Sequence, residues 1–78
     1  MYKRQRFVDA RRNLGSVYAQ TKRFDLAITE FKEALKYDPN NPTLHLYLGY
    51  THRDKGDPTT AQTWLNKAYQ LDPSLRPK

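Results

Sequence analysis

The chain has 78 residues, no cysteine, and 14 lysines and arginines against 8 acids, for a formal charge of +6. A chain this short makes one small domain that buries roughly 60–65% of its unfolded surface, so its core is thin. The missing cysteines exclude a disulfide framework, a zinc–thiolate site and a cysteine nucleophile; no stretch approaches the roughly 18 consecutive apolar residues of a membrane span, and the start lacks the apolar core of a signal peptide.

Residues 1–7 read as a basic leader. Its first five, MYKRQ, resemble the translated end of a transposon adapter used to prepare sequencing libraries; as a processing scar they would be set aside, and losing Lys3 and Arg4 lowers the charge from +6 to +4. The other reading is a native basic start. From Val8 to Gln20, the placing of Val8, Leu14, Val17 and Tyr18 predicts an amphipathic helix. TKRFD then turns the chain back, short enough to force an antiparallel hairpin. Asp25 to Tyr37 predicts the second helix, with Ala27, Ile28, Phe31, Ala34 and Leu35 on its apolar face. Asp38 and Pro39 close it. Pro42 suits the first turn of a third helix, capped by Asn41, which ends near Lys55 where KGD supplies a glycine able to take positive φ. Asp57 and Pro58 open the fourth, whose inward face is Ala61, Trp64, Leu65 and Ala68, and Asp72 and Pro73 close it.

Laid on itself at an offset of 34, the chain aligns Leu14 with Leu48, Gly15 with Gly49, Ala27 with Ala61, Ala34 with Ala68, and Asp38–Pro39 with Asp72–Pro73. A fixed period of this size marks a solenoid, in which each unit hides its apolar face against the next. Glycine in a helix interior costs about 1 kcal/mol relative to alanine, so its return at the same place in both units predicts close helix crossings at Gly15 and Gly49.

With NLGSVY followed by Ala27, Phe31, Ala34 and Pro39, and Leu48, Gly49, Ala61, Leu65, Ala68 and Pro73 in the second unit, residues 8–41 and 42–75 resemble two tetratricopeptide repeats, leaving 76–78 as a tail. The resemblance implies an all-α fold: four helices in tandem antiparallel hairpins, stacked with right-handed superhelical twist into an α-solenoid. It implies a scaffold that binds a peptide or protein partner on its concave face, and neither an enzyme nor a cofactor site. Carried onto this sequence, the concave positions are Asp9, Arg12, Ser16, Ala19 and Gln20, then Thr43, Leu46, Tyr50, Arg53 and Asp54. Leu46 and Tyr50 would offer an apolar platform, or contact a neighbouring repeat; Arg12 and Arg53 would pair with carboxylates. Arg11 and His45 depart from the family's large apolar residue, His52 from its aromatic, and Lys22 from its turn glycine. Arg12, Ser16 and Tyr47 stand where chaperone-clamping repeats carry lysine and asparagines, so the resemblance does not extend to that clamp.

Other chemistry is weaker. His45 and His52 lie two turns apart on one helix and lack a third ligand, and DKGD lacks the alternating oxygens and terminal glutamate of a calcium loop. No phosphate loop or nucleophile motif occurs. The charge, with ten aromatics, admits a basic RNA-binding surface, but the cations are dispersed, and Lys32 and Lys36 sit beside Glu30 and Glu33 as a solvated face. A third reading is self-association through open solenoid ends, with neither end carrying a polar cap and Trp64, Tyr69 and Leu71 displayed on the last helix. Nothing in the sequence sets a compartment.

Overall fold

The computed structural model describes residues 2–77, with side chains from Arg6 onward. Four helices follow in order, α1 (Tyr2–Gln20), α2 (Phe24–Tyr37), α3 (Pro42–Lys55) and α4 (Pro58–Leu71), and a 3-10 turn over Pro73–Leu75 ends the chain. α1 packs on α2 and α3 on α4 as hairpins, and α2 packs on α3 to join them. Among the described residues no helix is long and apolar enough to cross a membrane.

The two hairpin turns are the same device used twice. At the end of α1 the Arg23 N–H donates to the Tyr18 carbonyl (2.7 Å) and the Lys22 N–H to that of Ala19 (3.1 Å); at the end of α3 the Asp57 N–H donates to His52 (2.9 Å) and the Gly56 N–H to Arg53 (3.0 Å). Both are six-to-one plus five-to-two closures that need a left-handed residue after the helix. Gly56 supplies it at φ 100°, and Lys22 is held there at φ 64°. The helix starts follow their caps. Asn41 Oδ1 accepts from the N–H of Thr43 (3.0 Å) and Leu44 (3.2 Å), while its own amide donates to Asp38 (3.0 Å). Asp57 accepts from the Thr60 N–H (3.2 Å).

The core is a continuous cluster of Val8, Ala27, Ile28, Phe31, Ala34, Leu44 and Leu48, extended by Ala61, Leu65 and Ala68 in the second hairpin. Both interior glycines sit at close helix crossings. A Cβ on Gly15 would lie 2.6 Å from Phe31 Cε1, and one on Gly49 2.5 Å from Leu65 Cδ2 and 3.2 Å from the Ala61 carbonyl oxygen. Those distances are inside van der Waals contact, which is why the glycine penalty is tolerated twice.

Three expectations are corrected. α1 begins at Tyr2, six residues before Val8: no helix breaker interrupts residues 2–7, and Phe7 stacks on Tyr37 (5.9 Å), giving the early turns a tertiary partner. Of the face predicted for this helix, Val8 is buried and Tyr18 half-buried, but Leu14 is 41% and Val17 53% exposed, because among the described residues no helix covers the side of α1 turned away from the second hairpin. The third concerns the far end. Tyr69 is buried, Leu71 half-buried, and Trp64 packs against the core; the 3-10 turn lies on α4, and the Arg76 guanidinium sits 5.3 Å above the Tyr69 ring. The outer positions of α4 are instead polar, with Gln62 donating to Asn66 (2.8 Å).

Candidate functional site: a cleft between the first helices

α1 and α3 are the first helices of the two hairpins, and their mutual approach leaves a cleft of about 250 Å³. Ser16, Ala19 and Gln20 of α1 form one wall, Tyr47, Tyr50, Thr51 and Asp54 of α3 the other, and Phe31 of α2 reaches the floor. The turn over 21–23 places α2 behind α1, so the α1 stripe Ser16–Ala19–Gln20 is left facing α3 across open space.

The structure brings together five of the positions expected on the concave face, Ser16, Ala19, Gln20, Tyr50 and Asp54. The other expected residues flank the cleft without lining it. Arg12 lies 3.7 Å from Asp9 on α1, and Arg53 lies 3.6 Å from Asp54 on α3. Both pairs are partly exposed, where such contacts contribute little, so neither arginine is withheld from an incoming carboxylate. Arg53 also lies over the Tyr50 ring at 4.9 Å, which presents an aromatic face and a guanidinium as one unit. Thr43 lies in the first turn of α3, where its N–H serves the Asn41 cap, and Leu46 is half-buried outside the cleft.

Tyr47, Thr51 and Phe31 were not expected at the site. The Phe31 and Tyr47 rings pack at a tilt, centroids 5.7 Å apart, and fasten the hairpins beside the cleft, and the Thr51 hydroxyl donates to the Tyr47 carbonyl (2.7 Å). Helical period alone places Tyr47 between the groove stripe and the core stripe and assigns it to neither. The signal was indirect: an aromatic at that place faces Phe31 only once α2 is stacked on α3.

The histidines have structural surroundings. His45 is buried with Nε2 3.0 Å from the Pro39 carbonyl oxygen, and the Trp64 indole lies between the two imidazoles, 5.6 Å from His45 and 6.4 Å from His52. Lys32 of α2 sits 6.0 Å from the same indole. No cluster of three or more His, Asp or Glu side chains suited to a metal occurs among the described residues. Arg11, at the place equivalent to His45, ion-pairs with Glu30 (2.9 Å), the place equivalent to Trp64. The departures at these positions are thus matched changes in facing partners. Of the expected solvated face, Lys36 pairs with Glu33, but Glu30 belongs to Arg11.

Comparison with known families gives two matches in tandem: a model described as TPR repeat covers residues 15–56, and one described as tetratricopeptide repeat covers residues 44–75. Comparison with curated proteins gave no significant match.

Proposed function

Because the chain belongs to the tetratricopeptide-repeat family, whose repeats mediate protein–protein interactions, we propose that it binds a peptide or protein partner in the concave cleft between α1 and α3. The observation that carries this reading is the pair of aromatic side chains Tyr47 and Tyr50 on one wall of a cleft floored by Phe31, with Arg53 beside the cleft over the Tyr50 ring. Aromatic and arginine side chains set around a hollow that sheds water are the usual anchors of binding energy. The neighbouring Ser16, Gln20 and Asp54 supply hydrogen-bonding groups that would fix the register of a bound chain.

Ligands selected from a displayed peptide library against the full chain provide the test. Tyr50→Ala is expected to weaken the selected peptides about tenfold or more, and Ser16→Arg, which fills the cleft from the opposite wall, to do the same. Selected peptides that bind both variants as well as the parent would show that the cleft is not the binding surface.

A further inference from the structure

The lining of the cleft between α1 and α3 runs against the charge of the chain. Lysines and arginines outnumber acids 14 to 8 in the whole sequence. Among the described residues none of them lines the hollow: its polar groups are the neutral side chains of Ser16, Gln20, Tyr47, Tyr50 and Thr51, and its one charge is the carboxylate of Asp54.

That carboxylate keeps its hydrogen-bonding capacity. Asp25, Glu30 and Glu33 lie 2.8, 2.9 and 2.6 Å from the nitrogens of Lys55, Arg11 and Lys36, and Asp38, Asp57 and Asp72 accept hydrogen bonds from Asn41, Thr60 and Ser74. The cation beside Asp54 is its chain neighbour Arg53 at 3.6 Å, outside hydrogen-bond distance, and both side chains are more than half exposed, where such a contact holds little. The Arg53 guanidinium lies instead on the Tyr50 ring, 4.9 Å from its centroid. The rim of the cleft thus already shows a guanidinium resting on one of its tyrosines.

The hollow has about 250 Å³, below the roughly 300–1,000 Å³ of small-molecule sites, so it suits one anchor side chain of a segment laid across it. The rings of Phe31, Tyr47 and Tyr50 present negative faces that attract a cation, and the Asp54 carboxylate can take one by charge-assisted hydrogen bonds. A carboxylate anchor would meet Asp54 and no lining cation, and an apolar one would cover Asp54 without supplying a donor. Between the two basic side chains, arginine is the less strongly hydrated, stacks on aromatic faces and forks onto a carboxylate. The net charge of +6 opposes a polybasic partner. The fit is a single arginine in a neutral or acidic segment, whose acids would find Arg12 and Arg53 beside the cleft.

Resting on the cleft as the binding surface, we propose that its anchor is an arginine side chain of the partner, laid over the Tyr47 and Tyr50 rings with its guanidinium on Asp54. N-acetylarginine amide is the probe, titrated into the isotope-labelled full chain and followed by amide chemical shifts. Signals of Ser16, Gln20, Tyr50 and Asp54 should move along saturating curves, with Kd on the order of 10 mM for a ligand reduced to its anchor. N-acetylcitrulline amide, close in shape and without the charge, should bind at least about fivefold more weakly, the scale of a half-exposed charge contact. Asp54→Asn should bring the arginine curve to the citrulline curve and leave the latter in place. Glu33→Gln, which alters an acid outside the cleft, should change neither. Asp54 is exposed, so its variant should keep the parent circular dichroism. The proposal is overturned by absence of saturation up to about 100 mM, ten times the expected Kd, by coincident arginine and citrulline curves, or by an Asp54→Asn variant that still prefers arginine. In each of those cases, library-selected peptides that still lose affinity with Tyr50→Ala and Ser16→Arg would keep the cleft and remove only its arginine anchor.

Discussion

At the scale of single residues, His52 is the most consequential side chain. It stacks on Trp64 at the junction of the two hairpins, and both of its ring nitrogens are buried without a hydrogen-bond partner. Burial pushes its pKa below the ordinary 6.5; Asp57 draws it back up, Lys32 and Lys55 press it down again, and Asp25 opposes them. The folded state therefore binds the His52 proton less readily than the unfolded chain. Its contribution to stability is complete above the ordinary value and is lost as pH falls through it, until the folded ring is itself protonated. The melting temperature should decline as pH is lowered from about 7.5 to 5.5. His52→Phe, which keeps the stack on Trp64 and removes the proton, should flatten that decline. Asp25 and Asp57 do not confuse the window: the hydrogen bond from Lys55 to Asp25, and those from Thr60 to Asp57, hold both below the ordinary 3.8. Identical slopes in parent and variant would remove His52 as the cause.

At the scale of elements, the repeated turn exposes a local conflict. Gly56 and Lys22 close their helices with the same pair of hydrogen bonds and the same left-handed backbone, but only Gly56 adopts it without cost. A side chain in that region costs about 1–2 kcal/mol, partly offset by the greater freedom a glycine has in the unfolded chain. Lys22→Gly is thus expected to stabilise the fold by about 0.5–1 kcal/mol, read as a rise in the denaturant midpoint at unchanged slope. The reverse change, Gly56→Lys, should lower it by a similar amount. A destabilising Lys22→Gly would mean that the lysine side chain makes a contact worth more than its backbone strain.

At the scale of the whole molecule, stability rests on the α2–α3 junction, where Phe31, Leu44 and Leu48 share one core across the two hairpins. Leu14 and Leu48 provide a matched pair, alike in residue type and place in the repeat and opposite in surroundings. Leu48→Ala removes a fully buried side chain and should cost about 3 kcal/mol, a large share of what so small a domain has. Leu14→Ala should cost under about 0.5 kcal/mol. Equal losses at the two sites, measured by urea unfolding, would mean that the α1 face is covered in solution. The surface the repeat leaves open at Leu14 is the one it closes at Leu48.

The sequence determined the elements and their recurrence. The caps at Asn41 and Asp57, the turn glycine at 56 and the Asp–Pro stops are local signals that act through bonds within a few residues of themselves, and the 34-residue period is read directly from the recurrence of residue types. Ser16, Gln20, Tyr50 and Asp54 could be placed on one side because helical period and family register fix them. Burial was decided elsewhere. Leu14 and Val17 carry an apolar stripe whether or not a helix lies over it, Tyr69 is covered by a turn whose contact with α4 no period encodes, and Tyr47 joins the cleft only when α2 brings Phe31 to it. A side chain's spacing says which way it points along its own helix; what it meets there depends on the packing of elements far apart in the chain, and only the tertiary structure supplies that.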